Sequence, residues 1–86
     1  MAVTLRYWAA AKEAAGTAEE DFTGVATLSE LLAQAVAQRP DDGRLARVLS
    51  RCAYLVDGDP VGLRRHDTVL VRPGAVVEAL PPFAGG

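Results

Sequence analysis

One helix constrains this chain more than any other segment. Thr27 opens it, and Glu30 three residues on completes the pattern in which a threonine and a glutamate side chain each satisfy the other's backbone N–H. Leu28, Leu31, Leu32, Ala35 and Val36 then recur at i, i+3, i+4, i+7 and i+8, which makes one apolar face at the helical period. Pro40 stops the helix, and Asp41-Asp42-Gly43 reads as a turn. A helix apolar on one side must bury that side against another element. In a chain of 86 residues the main candidates are the short strand-like segments that flank it.

Those segments are legible. Residues 3–8 alternate, with Val3, Leu5 and Tyr7 on one face and Thr4, Arg6 and Trp8 on the other. Residues 9–15 are alanine-rich and are followed by Gly16, which predicts one or two helical turns closed by a glycine. Glu19 to Thr23 forms a second strand with Phe22 as its apolar anchor. Leu45, Val48 and Leu49 predict a shorter helix over 44–51. Residues 52–56 are strand-like and end at Asp57-Gly58, a turn that Asp59-Pro60 extends. Residues 68–72 read as a strand cut short by Pro73-Gly74, and Val76 to Leu80 form the last strand. Strands in two groups around one amphipathic helix predict an α+β roll, a mixed sheet with the helix across one face and the last strand beside the first.

Size and charge narrow the function. A domain this small has room for one thin core and no deep enclosed pocket. The net charge of −2 is the opposite of a nucleic-acid binder's basic excess. The charge is uneven, however: residues 39–72 hold seven arginines against five acids, and the remainder holds Arg6 and Lys12 against six acids. Such an asymmetry orients a protein partner but is too small to hold a polyanion. One cysteine and one histidine exclude an internal disulfide, a cysteine-rich zinc site and a four-cysteine cluster, so no metal site is expected. There is no long apolar run and no basic segment followed by an apolar one at the start, which predicts a soluble, cytoplasmic protein without membrane contact.

Few side chains suggest chemistry. Cys52 lies in an apolar run and reads as a small buried hydrophobe. His66, within Arg64-Arg65-His66-Asp67, reads as a solvated loop residue. Adjacent acids at Asp41-Asp42 and Glu19-Glu20-Asp21 read as solvated, and so does Arg64-Arg65. Trp8 either covers an edge of the core or sits in a protein interface.

The chain's last residues differ in kind. They read Leu80-Pro81-Pro82-Phe83-Ala84-Gly85-Gly86. Two prolines favour an extended exit from the last strand and keep the tail from folding back as a helix. Six residues from Pro81 reach about 20 Å when extended. Phe83 supplies an apolar anchor. Gly85 and Gly86 have no Cβ, so their backbone can pass along a narrow channel into another protein's active site. The reactive group is then the carboxylate of Gly86, ionised at neutral pH and a poor electrophile until activated, for example as an acyl-adenylate. The competing reading is a frayed terminus, which has no need of two prolines, an aromatic and two glycines in that order.

These residues resemble a known family. Pro81-Pro82-Phe83-Ala84-Gly85-Gly86 is similar to the PPxxGG ending of the MoaD family, the small subunits of molybdopterin synthase among the ubiquitin-like sulfur carriers. The opening Val3-Thr4-Leu5-Arg6-Tyr7-Trp8, the Ala9-to-Glu13 turn with Gly16, the Thr27-Leu28-Ser29-Glu30-Leu31-Leu32 helix entry and the Val56-Asp57-Gly58 turn also fit. The resemblance implies a β-grasp domain over 1–80 and a functional tail over 81–86. It implies that an ATP-dependent activating enzyme adenylates Gly86 and converts it to a thiocarboxylate. It further implies that the tail, with Leu80 at the interface, inserts into a large catalytic subunit. There two successive carriers deliver sulfur to a cyclic pyranopterin monophosphate, making a dithiolene. The chain itself would bind no cofactor, and the catalytic side chains would belong to the partner. The sequence departs from the family at Gly74-Ala75-Val76, where Gly-Asp-Glu is common, and at Asp57, often asparagine.

Two other functions fit the same residues. One keeps the tail chemistry and changes the acceptor: thiamin, cysteine or thio-tRNA synthesis, or protein conjugation. The other is a non-catalytic β-grasp interaction module with an incidental tail. The double proline favours the molybdopterin reading over the thiamin type.

Overall fold

A computed structural model describes residues 2–39 and 43–82. Its first strand, β1 (Val3–Tyr7), buries Val3, Leu5 and Tyr7 and leaves Thr4 and Arg6 half-exposed, the expected alternation. The strand stops one residue short of the expectation, because Trp8 is the N-cap of α1 (Ala9–Ala15) and Ala9 takes a positive φ. Gly16 closes α1 in the left-handed region, its N–H donating to the Lys12 carbonyl. The chain returns along β2 (Glu19–Phe22), antiparallel to β1.

The main helix, α2 (Leu28–Ala37), begins as its sequence dictates. The Thr27 hydroxyl accepts from the Glu30 N–H at 3.2 Å, while the Glu30 carboxylate accepts from the Thr27 and Ala26 N–H groups at 3.2 and 2.8 Å. Leu28, Leu31 and Ala35 are buried against the sheet side of the core. Pro40 and the Asp41-Asp42 turn lie outside the described residues. α3 (Arg44–Leu49) is shorter than the expected 44–51 and buries Leu45 and Leu49.

Three further strands complete one sheet. β3 (Ala53–Val56) turns through Asp57 and Gly58, both at positive φ, into the two-residue β4 (Asp59–Pro60), so Asp59-Pro60 is a strand edge rather than an extension of the turn. β5 (Val76–Leu80) lies between β1, to which it is parallel, and β3, to which it is antiparallel. The order across the sheet is β2-β1-β5-β3-β4. The last strand thus pairs with the first, as expected of the α+β roll.

Residues 68–72 are not a strand. His66–Thr68 form a single 3-10 turn, after which Val69 and Val71 point inward and Leu70 outward, 64% exposed. The two-residue period in the sequence is real, but the segment meets the approach to α2 instead of a sheet edge. Leu28 N–H donates to the Val69 carbonyl, and Val71 N–H to that of Ala26, both at 2.9 Å.

One polar network crosses the fold. The Tyr7 hydroxyl donates to the Glu20 carboxylate at 2.7 Å, and Arg39 pairs with the same oxygen at 2.8 Å. Arg39 also donates to the carbonyls of Ala15 and Ala35, at 3.1 and 3.0 Å, and its guanidinium lies over the Tyr7 ring. It thereby ties the ends of α1 and α2 to the β1–β2 hairpin. Glu20 is therefore half-buried and paired, not a solvated acid.

Candidate functional site: the root of the C-terminal tail

β5 delivers the chain to the tail. Leu80 is its last residue, paired with Ala53 and half-buried. Pro81 has no N–H to continue the ladder, so pairing ends there. Pro81 is half-buried and Pro82 exposed. Phe83, Ala84, Gly85 and Gly86, which carry most of the expected tail chemistry, lie outside the described residues. Because β1 and β5 run parallel, the root emerges where β1 gives way to α1, and the Trp8 N–H donates to the Ala79 carbonyl at 3.3 Å.

Two different surfaces flank this root. On the outer face of the sheet, register places Val76, Glu78 and Leu80 of β5 beside Thr4 and Arg6 of β1 and beside Ala53 and Leu55 of β3. Pro60 of β4 extends the row. Apolar residues therefore dominate the β3–β5 half. The β1–β2 half is polar: Arg6 pairs with Glu19 at 3.2 Å, and the Thr4 hydroxyl donates to Asp21 at 2.7 Å. The Trp8 indole lies at the boundary, 45% exposed, and donates to Glu78 at 3.0 Å. Trp8 therefore stands partly exposed beside the tail root.

On the other side of the root is an open groove of about 330 Å³, lined by Ala10, Arg44, Arg47, Val48, Arg51, Pro81 and Pro82. In the sequence the central surplus of arginines is plain, and Arg64-Arg65 is its most conspicuous pair. The useful signal is the spacing of Arg44 and Arg47 on α3 with Arg51 just beyond its end, and all three line this groove.

The remaining candidates do not converge. The Cys52 Sγ donates to the Val48 carbonyl at 3.3 Å, and burial pushes its thiol up to about 11, so it is no nucleophile at neutral pH. It is half-buried beneath α3, close to the expected role. His66 differs from expectation: it is half-buried, its ring edge-on to Tyr54 at 5.2 Å between centroids. Arg64 donates to the carbonyls of Val61 and Pro60, and Arg65 pairs with Asp67 on the surface. Among the described residues no three His, Cys, Asp or Glu side chains group to hold a metal ion, and no helix is long and apolar enough to cross a membrane.

The departure at Gly74-Ala75-Val76 lies at the end of β5 remote from the tail. Ala75 is buried, and Val76 N–H donates to the Asp57 carboxylate at 2.9 Å. Asp57 holds its left-handed conformation there, a role asparagine fills equally well.

The ThiS family model matches residues 5–86, a span that includes the whole tail. The chain belongs to the ThiS family. This ThiS-family chain also shares its fold with solved structures. SAMP1, the small archaeal modifier protein 1 of Methanosarcina acetivorans, is 21% identical with a TM-score of 0.81, over 99% of this chain and 96% of that one. A complex of subunits 1 and 2 of molybdopterin-converting factor from Helicobacter pylori contains a chain 22% identical, TM-score 0.68, with both chains fully covered. Urm1 of Trypanosoma brucei is 14% identical, TM-score 0.70, over 99% of this chain and 95% of that one. No curated protein matches the sequence. The ThiS-family chain thus has the ubiquitin-like β-grasp fold, the arrangement implied by its sequence resemblance.

Proposed function

We propose that this protein is a sulfur carrier that works through Gly86, serving as the small subunit of a molybdopterin synthase. The observation that carries the reading is the family match running through the final Gly85-Gly86, together with a fold whose central strand ends at Pro81-Pro82. Activation begins when a Gly86 carboxylate oxygen attacks the α-phosphorus of ATP, releasing pyrophosphate and leaving an acyl-adenylate. Hydrosulfide supplied by the activating system then attacks the glycyl carbonyl carbon, AMP departs with the former carboxylate oxygen, and a terminal thiocarboxylate remains. The domain supplies no catalytic side chain to these steps. It presents a narrow tail and a surface against which the activating enzyme, and then the large subunit, can hold that tail.

Support for a partner subunit comes from the Helicobacter pylori complex, in which subunit 1 of molybdopterin-converting factor is solved with subunit 2. A second reading, protein conjugation, draws on the likeness to SAMP1. It uses the same adenylate but a lysine amine as nucleophile, giving an isopeptide. Intact-mass measurement after co-expression with the activating enzyme separates the two. Carriage replaces one terminal oxygen by sulfur and gives the corresponding mass gain, while conjugation gives adducts of other proteins. Removal of Gly86 abolishes either product. Sulfur gain in a protein lacking Gly86 contradicts the reading.

A further inference from the structure

The arginine row beside the tail root is unused by the chemistry above. Arg44 and Arg47 belong to α3, and Arg51 follows two residues after its end; all three are exposed and line the groove that Pro81 and Pro82 also line. Arg44 and Arg47 each already engage another group of the chain. The Arg51 side chain makes no hydrogen bond or ion pair to the described residues.

Geometry obliges any protein that holds Gly86 to approach the row. Four residues follow Pro82, and four extended residues span about 14 Å. A partner with Gly86 in its active site therefore has its surface within that distance of Pro82, and Pro82 shares a groove with the three guanidinium groups. We infer that Arg44, Arg47 and Arg51 form a docking strip for an acidic rim around the tail channel of the ATP-dependent activating enzyme. This inference rests on the tail-activation reading above and adds how the carrier is recognised and oriented. The row spans eight residues, from Arg44 on α3 to Arg51 beyond its end. That length suits a line of carboxylates on a protein better than one phosphate group, and Ala10 and Val48 add no neutral donors to enclose a small anion. Charges at an exposed rim act mainly on encounter and register.

The test is ATP–pyrophosphate exchange by the cognate activating enzyme, measured against carrier concentration. Arg47→Glu combined with Arg51→Glu is expected to raise the KM for carrier about ten-fold and to leave kcat within about two-fold, because the lost interaction is made equally in ground and transition states. Added salt raises the wild-type KM steeply and that of the variant much less. R47K/R51K restores the wild-type KM. Arg72→Glu, beside the start of β5 at the other end of the sheet, behaves as wild type. Arg51→Glu alone lies beyond α3 and gives the same answer in kind if the double variant fails to fold. An unchanged KM for carrier in R51E and R47E/R51E overturns the inference while leaving the tail reading intact. So does a change confined to the KM for ATP or pyrophosphate, which marks a phosphate site instead. Absence of exchange with wild-type carrier overturns the tail reading itself and this inference with it.

Discussion

The Trp8 indole N–H donates to the Glu78 carboxylate at 3.0 Å, joining the residue after β1 to the middle of β5 across 70 positions of sequence. The bond holds the protein's single tryptophan on the outer sheet face, two residues along β5 from the tail root. A protein that docks there must cover the indole. Binding of the large subunit is expected to shift Trp8 emission to shorter wavelength and to reduce its quenching by iodide. Emission and quenching that stay constant at saturation would place docking on another face.

The proposed anchor role of Phe83 can be tested apart from the stability of the domain. Phe83→Asp is expected to weaken large-subunit binding by about 2 kcal/mol, the scale of a buried aromatic anchor, without lowering the thermal midpoint. A lowered midpoint would assign Phe83 to the domain's own packing.

Arg39 is the polar keystone of the hairpin side. Its replacement by alanine leaves Glu20 half-buried without its cation and two carbonyls without their donor. The expected loss is about 2–3 kcal/mol in urea unfolding. Glu20→Gln, which keeps an acceptor for Tyr7, costs about 1 kcal/mol. A loss below that for Arg39→Ala would show that water replaces the guanidinium without penalty.

Alkaline pH should destabilise the fold. Burial raises the Cys52 thiol from its ordinary 9.0 to about 11. Burial, and then the Glu20 carboxylate, raise the Tyr7 phenol, and burial raises that of Tyr54. Above the ordinary values of these groups the unfolded chain releases protons that the folded chain retains, so stability falls as pH rises through this range. Urea midpoints measured at intervals from pH 9 upward check the direction, and Cys52→Ala should remove the earliest part of the fall. A midpoint that rises with pH there would contradict the assigned burial.

The helix start offers a local test. Thr27→Ala removes the acceptor for the Glu30 N–H and should cost about 1 kcal/mol. An unchanged urea midpoint would mean that the Glu30 carboxylate alone secures the turn.

Much of this was readable in advance because it is local. The capping box, the β1 alternation and the Gly16 stop depend on residues a few positions apart. Residues 68–72 carry a real two-residue period, yet pairing depends on a neighbour, and theirs is the approach to α2. Glu20 and His66 read as solvated in sequence because their partners, Arg39 and Tyr54, are distant along the chain. The root of the tail follows from the expected pairing of first and last strands. The groove was not legible, because it needs α3 to sit beside Pro81 and Pro82.

β5 is bonded on both sides, to β1 along one edge and to β3 along the other. A pull on the tail is therefore borne as shear by two ladders at once, with many bonds loaded together, rather than by peeling a strand from an edge one bond at a time. A protein that held the tail would load both ladders together before the domain behind it gave way.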